Sequence, residues 1–84
     1  MELTIRTYGT LGTMKCKLFK TKPLQDRPKT YKHVCTGFHN IGNTYNPSHC
    51  EILQNKRGEL FIEIYREGCF WPYYGKLEQV ESIG

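Results

Sequence analysis

The chain has 84 residues, 38% of them hydrophobic and 13% aromatic, with a formal net charge of +4. That length makes one domain, 1–84, near the lower end of what folds without a metal, disulfide or partner, and the abundance of rings and β-branched residues argues against disorder. No apolar run approaches the ~20 residues of a membrane helix, and the MELTIRTYGT start lacks the basic, apolar and cleavage regions of a secretory leader, so a cytoplasmic protein is expected.

The charge is unevenly spread. Residues 1–50 carry eight Lys or Arg against two acids (+6), and residues 51–84 carry four against six (−2). Within 13–33 lie Lys15, Lys17, Lys20, Lys22, Arg27, Lys29 and Lys32 with the single acid Asp26. Such asymmetry speaks to partners rather than to fold. A surface of solvated lysines that protects sheet edges gives the same pattern.

In chain order, Leu3, Ile5 and Thr7 alternate with polar neighbours and predict a first strand, closed by the hairpin-length turn Gly9–Gly12. Met14, Cys16 and Leu18 alternate with Lys15, Lys17 and Phe19, a second strand with an apolar face and a basic–aromatic face. Pro23, Asp26 and Pro28 make 21–29 a loop or crossing segment. Residues 30–36 form a third strand by β propensity, and 37–48, with its Gly, Asn and Pro, a long irregular connection.

The strongest signal spans Cys50 to Tyr74. Cys50–Gln54 and Leu60–Tyr65 flank Asn55-Lys56-Arg57-Gly58, a hairpin turn in which Gly58 supplies positive φ. Leu60, Ile62 and Ile64 share one face of the second arm. Gly68 and Pro72 break the run that follows, so 69–74 reads as a bulged edge strand or tight turn. Leu77, Val80 and Ile83, three apart, fit one or two helical turns at the C-terminus. The fold expected is mainly β, a small five- to six-stranded antiparallel curled sheet or barrel built from hairpins, with that short helical turn.

No stretch carries a specific catalytic or cofactor motif, and no cofactor is expected. The weak metal candidates are Cys35, His39 and Cys50, but zinc prefers ligands in close pairs such as C-x2-C, and His49 and Cys50, adjacent on a strand, point to opposite faces. Cys16 lies between Met14 and Leu18 on the apolar face, so reduced, buried cysteines are expected. His33, His39 and His49, with Lys32 or Arg66 on the phosphate, contain the residue types of a metal-independent ribonuclease, without any spacing that sets their geometry.

The better signal is basic residues interleaved with aromatics on strands, as in small barrels that bind single-stranded nucleic acid. The expected contacts are Lys15, Lys17, Phe19, Lys20, Lys22, Arg27, Lys29 and Lys32. This makes the chain a non-enzymatic binding protein for an anionic macromolecule, nucleic acid or nucleoprotein. The rival reading is a protein-binding inhibitor or adaptor, of the kind that phage or mobile elements encode, acting on a larger enzyme through Phe70, Trp71, Tyr73 and Tyr74, because Tyr and Trp anchor interfaces.

Overall fold

The computed structural model describes residues 2–9, 11–40, 48–64 and 73–82. Among them are seven strands: β1 (Glu2–Thr7), β2 (Thr13–Leu18), β3 (Lys22–Pro23), β4 (Lys32–His39), β5 (Ser48–Gln54), β6 (Leu60–Ile64) and β7 (Tyr73–Ser82). A single 3₁₀ turn, Leu24–Asp26, follows β3. Among the described residues no helix is long and apolar enough to cross a membrane.

The period-two alternation of the strands dictates a sheet with one apolar face, and closure of the sheet hides that face. The order β2-β1-β4-β5-β6-β7 is antiparallel throughout, and pairing of β2 with β7 closes it into a six-stranded barrel. β3 pairs only with Tyr73 and Tyr74 at the start of β7 and lies outside the ring. Inside are Leu3, Ile5, Met14, Cys16, Leu18, Cys35, Cys50, Ile52, Ile62, Ile64 and Leu77. Each fully buried Ile or Leu in such a core contributes about 1.5–3 kcal/mol.

Two turns set the registers of the hairpins. In the first, Gly12 takes φ +63° and its carbonyl accepts from Thr7 N at 3.1 Å and Thr7 Oγ1 at 2.7 Å. In the second, Gly58 takes φ +85°, while Asn55 Oδ1 accepts from the Arg57 and Glu59 amides at 3.0 and 2.9 Å. Gly37 answers a different demand. A Cβ there would stand 2.7 Å from the Arg6 carbonyl oxygen, so only glycine lets β4 pass this close to β1.

A second, smaller core lies outside the barrel. Leu53, Phe61 and Tyr74 point outward from β5, β6 and β7, and Leu24 and Tyr31 from the segment joining β3 to β4 pack over them. Alternation alone assigns Phe61 to the solvent side of its strand; the crossing segment covers it, leaving it 8% exposed. An Arg27–Glu63 ion pair pins the segment to β6, and the Tyr74 hydroxyl donates to the Asp26 carbonyl at 3.4 Å.

Three expectations change. The C-terminal helical turn is absent from the described residues: 73–82 is the strand that closes the barrel. Its three-residue spacing does not define one face, because Leu77 is buried and Val80 is 55% exposed. Val80 is the extra residue of a bulge, since Gln79 and Glu81 pair with the adjacent Cys16 and Lys15. The third strand starts at Lys32 and runs on to His39, into the stretch expected to be irregular, because Gly37 and Phe38 pair with both neighbouring strands. The remainder of that stretch, 41–47, and most of the 69–74 turn lie outside the described residues.

Candidate nucleic-acid interface

The expected basic face divides in two. Lys15 and Lys17 point outward from β2 beside Phe19, whose ring centroid lies 5.4 Å from Lys17 Nζ. Acids stand on both neighbouring strands: Lys17 is opposite Glu2 on β1 and Glu78 on β7, and Lys15 is opposite Glu81. Lys15 Nζ also lies 3.9 Å from Glu2 Oε2. Opposite charges facing each other across a sheet stabilise the pairing and lower the outward potential. Arg27 is likewise answered, by Glu63.

Lys20 and Lys22 stand differently. After Leu18 the chain bends past Gly75, where a Cβ would meet Leu18 Cδ1 at 2.9 Å and Thr21 Cγ2 at 3.0 Å. This close approach forms a cleft of about 170 Å³ lined by Lys20, Lys22, Lys76, Tyr31, Phe61, Tyr74 and Gly75. Thr30, Lys32, Gln54, Asn55 and Lys56 line a second depression of about 320 Å³. Tyr31 lines the first and not the second. Lys29 precedes Thr30 in the turn and is exposed to solvent.

Among the described residues no acid lies within ion-pairing distance of Lys20, Lys22, Lys29, Lys32 or Lys56. Lys76 is answered by Glu59 at 2.5 Å, and hydrogen bonds from Lys76 and Asn55 hold the Glu59 carboxyl below the usual carboxylate range. Lys56, Lys76 and Phe61 come from the acidic half of the chain, and no local pattern marks them as partners of the lysines before residue 33.

The rings of the cleft hold one another in place. Tyr31 lies 4.5 Å from Phe61 with a 32° tilt, and Tyr74 meets Tyr31 nearly edge-on at 6.1 Å. Burial pushes the Tyr31 hydroxyl pKa up, with the neighbouring Tyr74 and Glu59 adding to the shift. Of the proposed aromatic edge, Tyr74 is buried in this cluster and Tyr73 packs half-buried on the barrel core. Phe70 and Trp71 lie outside the described residues.

Two of the three histidines come together and the third stands apart. His39 is inside the barrel wall at 3% exposure, where burial lowers its pKa. His33 and His49 are on the outer surface, and both turn Nε2 to the carboxylate of Glu51, His49 at 3.3 Å. Thr36 Oγ1 donates to the same carboxylate at 2.9 Å. A bulge at Val34, skipped between the pairings His33↔Leu53 and Cys35↔Ile52, brings His33 and Thr36 to the same side of β4. A carboxylate is acceptor-only, so His33 directs an Nε2–H into Glu51, while His49 Nε2 lies within ion-pairing distance of the same group. The cluster is a clamp between β4 and β5. Arg66 lies outside the described residues.

The three described cysteines, Cys16, Cys35 and Cys50, are buried free thiols. Burial, reinforced by Glu51 and Cys35, pushes Cys50 up to about 12, so this thiol stays protonated at neutral pH. Among the described residues no three His, Cys, Asp or Glu side chains are grouped to hold a metal ion.

Comparison with known proteins gives no identification: no family model, no curated protein and no solved structure matches the chain.

Proposed function

We propose that this barrel is a non-enzymatic binding protein that docks on an anionic macromolecule, nucleic acid or nucleoprotein, through its unanswered lysines. One observation carries the reading: Lys20, Lys22, Lys32 and Lys56, drawn from three separate segments, line two depressions with no acid of the described residues in ion-pairing range. Unanswered lysines on a concave surface attract a polyanion and release its condensed counterions on binding. Lys15, Lys17, Phe19 and Lys29 flank this centre and extend the field without forming it. Arg27 serves the crossing segment that builds the cleft wall.

The test is a fluorescence-anisotropy titration with labelled oligonucleotides over a range of salt concentrations. Four or five phosphate contacts predict that log K falls with log salt at a slope of about −3. Salt-independent binding, or no binding even at low salt, would remove the proposal and leave a protein partner for the aromatic edge.

A further inference from the structure

Resting on that reading, we infer that the ligand of the cleft is a single strand, with one unpaired base stacked on Tyr31 and its flanking phosphates held by Lys20 and Lys22. The argument begins with the faces of the ring. Tyr31 lies 4.5 Å from Phe61 at a shallow tilt, so one of its faces is occupied by the outer core. It is only half-buried and lines the cleft, so part of the ring is open to a ligand. Tyr74 meets it edge-on and fixes its rotation. The ring is therefore held before any ligand arrives, and little side-chain entropy is lost on stacking.

Charge stands beside this ring. Lys20 and Lys22 share its cleft, and Lys32 and Lys56 line the second depression. A chain with alternating rings and phosphates that enters the cleft meets both lysine and ring. Single-strand sites combine these two elements, a positive track and an aromatic platform. A duplex keeps its base faces stacked inside and can use only the lysines. The depressions, about 170 and 320 Å³, are below or at the lower end of the size that encloses a drug-sized molecule, which suits a strand lying across the surface rather than a ligand enclosed within it.

The experiment compares a fluorescein-labelled oligothymidine strand, a duplex of the same length and inorganic polyphosphate as competitor, on the wild type and two variants. Tyr31→Leu keeps an apolar side chain over Phe61 but removes the π-face, and should weaken the single strand roughly tenfold while leaving its salt slope unchanged. Tyr31→Trp should retain binding, and the introduced indole should be quenched as oligothymidine is added. Far-UV circular dichroism and the urea midpoint establish that both variants are folded. Equal binding of strand and duplex, displacement by polyphosphate at equal phosphate concentration, or an unaffected Tyr31→Leu variant would each overturn the stacked-base inference while leaving the docking surface in place. Failure of every anion to bind would overturn both.

Discussion

Two groups of charges on this barrel have opposite relations to their surroundings. On β2 and across β4, β5 and β6, outward charges are met by partners nearby: Lys15 and Lys17 by Glu2, Glu78 and Glu81 on the adjacent strands, Glu63 by Arg27 of the crossing segment, and Glu51 by His33 and Thr36 of β4 and by His49 of its own strand. Glu51 and Glu63 face each other across β5 and β6, an arrangement that destabilises a sheet unless each acid has its own partners, as here. Lys20, Lys22, Lys32 and Lys56 have no such answer among the described residues. Charges that neutralise one another hold strands in register. Charges left open are available to a partner.

The sharpest way to break this comparison is charge reversal in the open group. The double variant Lys20→Glu/Lys22→Glu should weaken oligonucleotide binding by roughly 25-fold or more at 0.1 M salt, from two lost phosphate contacts worth about 0.7 log unit each. The same variant should unfold at an unchanged urea midpoint, because neither lysine supports a strand pairing through a charge partner. A large stability loss with intact affinity would reverse the assignment of roles.

The converse variant acts on the answered group. Glu51→Gln should cost about 1–2 kcal/mol of stability, measured by urea unfolding at neutral pH, and leave affinity unchanged. Burial works to raise the Glu51 carboxyl pKa, but hydrogen bonds from His33 and Thr36 and the nearby imidazoles hold it below the carboxylate range overall. A depressed carboxyl stabilises the fold above its unfolded pKa and loses that contribution as pH falls through the folded value. The difference between wild type and Glu51→Gln should therefore persist near neutrality and shrink below about pH 4.5.

His39 gives a second pH dependence with a different window. Its pKa is lowered by burial from 6.5, so the unfolded chain takes up a proton that the folded barrel refuses. Stability should fall as pH drops below about 6.5, and His39→Gln should flatten this limb in urea titrations at several pH values. A limb of unchanged steepness would mean that His39 is not its source.

The smallest effect is expected on β2. Lys15→Gln/Lys17→Gln should change affinity by no more than about threefold, because each lysine already faces acids across the sheet. Glu78→Gln/Glu81→Gln, by unmasking them, should raise it by a similar factor. Anisotropy at one fixed salt concentration reads both. A β2 double variant as damaging as Lys20→Glu/Lys22→Glu would place the lysine field on β2 and not at Tyr31.

Local sequence determined most of the secondary structure. Alternation placed Leu3, Ile5, Met14, Cys16, Leu18, Ile62 and Ile64 on the inner faces, and Gly12 and Gly58 marked the turns, because side-chain period and positive φ are properties of neighbouring residues. It also supplied the basic stretch from which Lys20, Lys22 and Lys32 come. Only the closed tertiary structure decided the rest. Closure of β7 on β2 turned a three-residue spacing into a bulged strand, since backbone hydrogen bonds to a partner outweigh weak helical periodicity. The crossing segment made Phe61 a core residue. Cross-strand acids separated Lys15 and Lys17 from the open lysines, and Tyr31, Phe61 and Lys76 met in space from positions with no sequence relation. Which charges are neutralised depends on distances of a few ångströms across strands, and those distances exist only once the barrel has closed.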